Sequence, residues 1–221
     1  MPHPGSDRFA GVIVSHAQRT LFVHVQKTGG ITVEGLLLDQ QPGAEKLKDL
    51  PGRKHARLGA ALRQHPEVAD YWTFGFVRNP WARMWSWYSM IQQRRESADA
   101  GDAWVTQRIS RNRFWAGVIR EIPDFEAFVM HGPELFPRMR VPQVRYFRAP
   151  GKQADFIGRT ETLDADLRSI ASRLGIEPPA VVPRENASRS GDYRTHFTPA
   201  MRDRVGELYV RDLEEFGYTF D

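Results

Sequence analysis

A length of 221 residues gives this chain enough apolar side chains to bury a substantial core, and we expect a single domain over residues 1–221. Its content of 41% hydrophobic and 26% charged residues excludes an intrinsically disordered protein, and its lack of cysteine excludes disulfide bonds and thiolate metal sites. Lys and Arg (31) exceed Asp and Glu (27) by only four. This mild excess suits an anionic ligand or an acidic substrate and does not indicate nucleic-acid binding.

The N-terminal half of the chain predicts strands that alternate with helices. Apolar and β-branched residues predict strand structure at 11–26 and a buried strand at 71–77. Helical spacing predicts helices at 30–38 and 56–64, and the glycine, proline and lysine content of 41–54 predicts a loop between them. Such alternation is typical of a parallel sheet flanked by helices.

The C-terminal half is predicted to be mostly helical. Asn79 and Pro80 are the residue types favoured at the cap and first position of a helix. The polar, charge-rich segment 92–113 predicts a helix interrupted by a mobile loop. The other predicted elements are a strand at 155–158 and helices at 124–130, 163–174 and from 198 onward.

One motif lies where the first predicted strand meets the first predicted helix. The strand-like segment 22–25 is followed, after Gln26, by Lys-Thr-Gly-Gly-Ile-Thr at 27–32. Glycines let the backbone approach an anion, N–H groups at a helix start point towards it, and lysine adds positive charge. In a nucleoside triphosphatase P-loop the lysine follows the glycines, whereas Lys27 precedes them. A glycine turn with a purely structural use remains the alternative.

A second motif, Phe-Val-Arg-Asn-Pro at 76–80, joins a strand end to a helix. The helix carries a strip of small side chains, namely Ala82, Ser86 and Ser89. We interpret Arg78 and the Ser86 hydroxyl as ligands of a phosphate, because the planar guanidinium matches phosphate oxygens. The alternative is that the small strip packs against a partner helix.

The motifs at 27–32 and 76–88 together resemble the PAPS-dependent sulfotransferases, most closely the carbohydrate-type branch. Segments 156–161 and 209–220 add weaker similarity, so the resemblance covers most of the chain from Leu21 onward. Gln26 stands where the family commonly has proline, and Ile31 where it often has serine or threonine; neither change removes a charged contact. The resemblance implies an α/β fold with a P-loop-type central parallel β-sheet flanked by helices in three α/β/α layers.

The resemblance also implies roles for the motif residues. Lys27 would contact the bridging oxygen of the phosphosulfate and stabilise charge as the S–O bond breaks. Arg78 and Ser86 would hold the 3′-phosphate, and Arg189 is a second candidate anion ligand, with a solvated arginine as the alternative. The residues implied around the 5′-phosphate of PAPS, or of its product PAP, are Lys27, Thr28, Gly29, Gly30, Ile31 and Thr32.

Sulfuryl transfer to an alcohol needs a base for the hydroxyl proton, and histidine suits this role because it titrates near neutral pH. We favour His55, because it resembles the family's lysine-histidine segment. We expect His24, within the first strand, to be structural. The alternative bases are His65, His131, His196 and Glu34.

We therefore expect a sulfotransferase that uses PAPS and no metal, with a carbohydrate or another small alcohol as the acceptor. A P-loop nucleotide or small-molecule kinase is the alternative, and a catalytically inactive nucleotide-binding module is a third reading. A kinase would place lysine after the glycines and a strand-end aspartate on Mg²⁺. The predicted strand at 71–77 is followed instead by an arginine.

Arginines and tryptophans between residues 94 and 115 allow two interpretations. They form either a face of solvated arginines and packed tryptophans or a groove for the acceptor; the residues are Arg94, Arg95, Trp104, Arg108, Arg111, Arg113 and Trp115.

The short polar segment 1–8 lacks the apolar region of a secretory signal, and no apolar stretch approaches the roughly 20 residues of a membrane span. We therefore expect no membrane span and a cytoplasmic location.

Overall fold

A computed structural model of the chain describes residues 11–51, 55–178 and 192–221. Contacts divide the chain into two compact units. The first unit comprises Met1–Arg78 and Gln143–Glu185, and the second comprises Asn79–Pro142 and Asn186–Asp221.

The described residues form seven β-strands and ten α-helices. The strands are β1 (Ile13–Ser15), β2 (Thr20–Val23), β3 (Ala44–Lys46), β4 (Trp72–Val77), β5 (Arg148–Ala149), β6 (Lys152–Gln153) and β7 (Phe156–Arg159). The helices are α1 (Gly30–Gln40), α2 (Leu58–Gln64), α3 (Pro80–Asp99), α4 (Ala103–Arg111), α5 (Arg113–Glu121), α6 (Phe125–Met130), α7 (Gly132–Leu135), α8 (Leu163–Leu174), α9 (Pro199–Leu208) and α10 (Val210–Phe216).

The first unit contains a five-stranded sheet in the order β3-β1-β2-β4-β7. Strands β2, β4 and β7 are parallel, whereas β1 is antiparallel to both β2 and β3. The four residues between β1 and β2 are too few for the crossover that a parallel pair requires. The predicted α/β class is confirmed and is consistent with three α/β/α layers, but the sheet is mixed and not parallel throughout.

One face of this sheet packs against α1 and α8. Phe22, Phe74 and Phe76 project from β2 and β4 into this core. The helices contribute Val33, Leu36 and Leu37 from α1 and Leu167, Ile170 and Leu174 from α8. Five of the six residues of β4 are buried, as expected for a strand between two parallel neighbours. This packing places the start of α1 beside the carboxyl end of β2.

Strand β3 was not predicted, because its sequence Ala-Glu-Lys has none of the apolar alternation that marks a strand. It lies at the sheet edge within the predicted loop 41–54 and pairs only with β1. An edge strand tolerates charged side chains because one side of it faces no neighbouring strand. Residues 52–54 of that segment lie outside the described residues.

The second unit is helical. The Asn79 side chain caps α3 by accepting hydrogen bonds from Trp81 N (3.1 Å) and Ala82 N (3.4 Å), as the sequence predicted. Helix α3 continues to Asp99, and the predicted interruption of 92–113 consists of two short breaks. Helices α4 and α5 restart after the caps Asp102 and Asn112. Within the described part of the chain, no helix has the length and apolar character needed to cross a membrane.

Candidate functional site

The loop between β2 and α1 has an unusual backbone. Lys27 (φ 69°) and Gly29 (φ 79°) both adopt left-handed conformations, which are uncommon for a residue with a side chain. Left-handed residues of this kind occur in the backbone concavities that bind anions. Helix α1 then begins at Gly30 with no side-chain cap and no acidic residue in its first turn. The positive end of a helix dipole favours a nearby anion.

Thr28 stabilises this loop from within. Its hydroxyl donates a hydrogen bond to the Val25 carbonyl at 2.9 Å, and the residue is almost completely buried. The Thr32 N–H is directed to the Gly29 carbonyl at 3.1 Å. The one hydrogen of the Thr28 hydroxyl is therefore used inside the loop.

A buried pair, His24 and Glu34, lies behind the loop. Glu34 is 0% exposed, and its Oε1 accepts hydrogen bonds from His24 Nδ1 (2.5 Å) and from the Gly11 N–H (2.8 Å). A Cβ at Gly30 would lie 2.1 Å from the His24 ring, so only glycine fits there. These contacts fit the structural role expected for His24. They also place Glu34 in the interior, contrary to the solvated position that is usual for a glutamate on a helix.

Arg78 joins this loop from the neighbouring strand. Because β2 and β4 are parallel, with Val23 opposite Gly75, the residues after both strands lie at one edge of the sheet. The Arg78 Nη1 donates to the Lys27 carbonyl at 3.4 Å. The structure thus brings together the two motifs that the sequence singled out separately.

His55 also lies at this edge of the sheet. Its Nδ1 donates to the His24 carbonyl at 3.2 Å, and its ring meets the His24 ring edge-on at a centroid distance of 4.7 Å. A carbonyl only accepts, so the ring proton of neutral His55 sits on Nδ1. His65 has both ring nitrogens within hydrogen-bond distance of oxygens, Nδ1 of Glu67 Oε1 and Nε2 of the Lys48 carbonyl.

The other two predicted ligands are Ser86 and Arg189. Ser86 is buried on α3 in the second unit. Arg189 lies outside the described residues. His196, one of the alternative bases, stacks on Trp85 in the second unit at a centroid distance of 3.7 Å.

Two of the arginines of α3–α5 lie over tryptophan rings. The Arg94 guanidinium lies over the Trp115 ring (4.3 Å), and Arg108 lies over Trp104 (4.6 Å), whose side chain is 52% exposed. Burial, and secondarily the nearby charge of Arg108, lower the pKa of Arg94 from its usual value. Both tryptophans thus serve as platforms for arginine in this structure.

Sequence reasoning missed two further residues at the site. Gln143 and Tyr146, both buried, contact Arg78 and Gln26 respectively through their side chains. No local sequence pattern indicates either residue, because Gln143 is 65 positions from Arg78 and Tyr146 is 120 positions from Gln26. Among the described residues, no group of three or more His, Cys, Asp or Glu side chains is placed to hold a metal ion.

A comparison with models of protein families gives a match. The model of the sulfotransferase family matches residues 10–219, which includes every residue of the cluster described above. Neither the curated proteins nor the solved structures compared with this chain gave a match. A family match over nearly the whole length supports a transferase with sulfotransferase activity, in agreement with the resemblance of the two motifs. The chain belongs to the sulfotransferase family.

Proposed function

We propose that this protein transfers a sulfuryl group from PAPS to a hydroxyl of a carbohydrate or another small alcohol. The observation that supports this most strongly is the 3.4 Å contact between the Arg78 guanidinium and the Lys27 carbonyl, made from adjacent parallel strands. PAPS carries a phosphosulfate at its 5′ position and a phosphate at its 3′ position. Its binding therefore needs two separate cationic groups near one nucleotide.

The 5′ end of PAPS suits the loop before α1. The left-handed Lys27 and Gly29 turn the backbone there, and the first turn of α1 contains neither a capping side chain nor an acidic residue. In the proposal, Lys27 supplies the positive charge at the bridging oxygen. The groups that surround the 5′-phosphate belong to Thr28, Gly29, Gly30, Ile31 and Thr32.

Arg78 is the ligand that we propose for the 3′-phosphate. Its guanidinium has the fork geometry for two phosphate oxygens, and Gln143 fixes its backbone. Ser86 and Arg189 remain proposed ligands on the resemblance alone. The family match runs through both compact units, which supports treating residues 1–221 as one domain.

The proposed reaction is an in-line displacement. The acceptor oxygen attacks sulfur, the bond from sulfur to the bridging phosphate oxygen breaks, and the hydroxyl proton passes to His55 Nε2. Lys27 stabilises the negative charge that develops on the departing oxygen. Positioning and charge stabilisation supply most of the rate in such transfers, as they do in phosphoryl transfer.

The proposed location of the protein is the cytoplasm, which suits a chain without cysteine.

Thermal unfolding with added nucleotides tests this proposal. We expect PAP at about 100 times its Kd to raise the Tm by roughly 5–10 °C. We expect ATP with Mg²⁺ to raise it much less. A large shift with ATP and Mg²⁺ and none with PAP would contradict the proposal and favour the kinase alternative.

A further inference from the structure

Gln143 binds the backbone of Arg78 at two points. It is 0% exposed and begins a short 3-10 helix, Gln143–Tyr146. Its Oε1 accepts from the Arg78 N–H (3.0 Å), and its Nε2 donates to the Arg78 carbonyl (2.8 Å). Because β4 ends at Val77, this side chain supplies Arg78 with two bonds of the kind that a strand partner would provide. The paired bonds fix both the position and the orientation of the residue that we propose for the 3′-phosphate.

Tyr146 makes a corresponding contact to the loop between β2 and α1, which contains Lys27. Its buried hydroxyl donates to Gln26 Oε1 at 3.0 Å, and Gln26 directly precedes Lys27. Residues three apart in a 3-10 helix lie on the same side, so Gln143 and Tyr146 are directed to the same side of their helix. One turn of helix therefore holds both motifs.

These contacts close into a ring. The Arg78 Nη1 reaches the Lys27 carbonyl, and the remaining links pass through Gln143, Tyr146 and Gln26. The following residue, Phe147, is fully buried against β4, where its ring leaves no room for a Cβ at Gly75 (2.3 Å). The helix that carries Gln143 and Tyr146 is thereby fixed to the sheet whose strand ends it connects.

We propose that Gln143 and Tyr146 are positioning residues that set the spacing between Lys27 and Arg78 before the nucleotide binds. This inference rests on the proposed binding of PAPS. A residue with a side chain persists in the left-handed region only where its surroundings determine that conformation, and the ring supplies such surroundings for Lys27. Without the ring, part of the binding free energy of the nucleotide is used to order the two motifs.

Two conservative substitutions separate positioning from general stability. Gln143→Glu keeps an acceptor for the Arg78 N–H and replaces the donor with an oxygen that faces the Arg78 carbonyl. Tyr146→Phe removes one hydroxyl. Tyr71→Phe is the matched control, because Tyr71 is buried in the same unit and its hydroxyl bonds to His16 Nδ1 at 2.9 Å.

The experiment is calorimetric titration of each full-length variant with PAP. We expect PAP affinity to fall about tenfold in Gln143→Glu and roughly three- to tenfold in Tyr146→Phe, and to stay within twofold in Tyr71→Phe. In an Arg78→Ala background, Gln143→Glu should cause no further loss, because Gln143 acts through Arg78.

The outcomes are distinct. Wild-type affinity in both Gln143→Glu and Tyr146→Phe would overturn the positioning role, as would an equal loss in Tyr71→Phe or an undiminished loss in the Arg78→Ala background. If Gln143→Glu does not fold, the comparison of Tyr146→Phe with Tyr71→Phe decides. Failure of the unaltered chain to bind PAP would instead contradict the proposed function itself.

Discussion

Lys27 and Arg78 lie side by side but are proposed to act on opposite ends of one nucleotide. Arg78 would hold a phosphate that does not react, so its interaction is the same in the ground state and in the transition state. Lys27 would act where charge develops, and such interactions raise the rate more than the affinity. The two cations therefore differ in the kinetic parameter that each controls.

The corresponding prediction concerns two alanine variants. Lys27→Ala should lower kcat by about 10²–10³-fold and weaken PAP binding only modestly. Arg78→Ala should weaken PAP binding by about 10–100-fold, as expected for a lost bond to a charged group. Steady-state kinetics with PAPS and titration with PAP measure the two effects. The reverse pattern would mean that both assignments are wrong.

His55 is the residue that we propose to take the acceptor proton. Its Nδ1 donates to the His24 carbonyl at 3.2 Å, which holds the ring at the sheet edge beside the two motifs. His55→Ala should lower kcat by about 10²–10⁴-fold and keep the PAP affinity. His65→Ala is the control and should retain the full rate. If His55→Ala leaves turnover unchanged, another group is the base. PAP binding without any turnover in the wild type would instead indicate an inactive nucleotide-binding module.

Among the elements, helix α1 contains two glycines, of which one is tightly packed and the other has open space beside it. A Cβ at Gly30 would meet the His24 ring, whereas a Cβ at Gly35 would have nothing within 4 Å. The two positions therefore separate the effect of packing behind the loop from the intrinsic helix propensity of alanine.

We predict opposite signs for alanine at these positions. Gly30→Ala should lower the free energy of unfolding by about 1–3 kcal/mol, because it overpacks the space beside His24, and should weaken PAP binding. Gly35→Ala should raise the free energy by about 0.5–1 kcal/mol and leave PAP binding unchanged. Urea unfolding and PAP titration check both. Equal effects of the two substitutions would refute the claim that the His24 ring leaves no room for a side chain at position 30.

Elements with local signals were predictable from the sequence, and those that depend on distant partners were not. The glycines before α1 and the Asn79–Pro80 pair before α3 act within one turn of chain, so the start of each helix was correct. Strand β3 has no apolar pattern of its own and forms only through its backbone hydrogen bonds to β1.

The same distinction holds within the site. Lys27 and Arg78 stand out because their motifs are contiguous in sequence. The sequence around Glu34 is that of an ordinary exposed helix glutamate, and its hydrogen bond to His24 becomes evident only in the fold. Gln143 is recognisable only once Arg78, 65 residues away, is known to need partners for its backbone.

Across the whole molecule, the sulfotransferase family model matches residues of both compact units, while the contacts among Lys27, Arg78, Gln143 and Tyr146 lie in the first. In the proposed function, one nucleotide binds to Lys27 and Arg78 together. Its 3′-phosphate should therefore be recognised through Arg78.

The most direct measurement is titration of the wild type and of Arg78→Ala with PAP and with AMP, which lacks the 3′-phosphate. The wild type should bind PAP at least tenfold more tightly than AMP. Arg78→Ala should lose most of this preference, whereas Lys27→Ala should keep it. A PAP-to-AMP preference that is unchanged in Arg78→Ala would contradict the account.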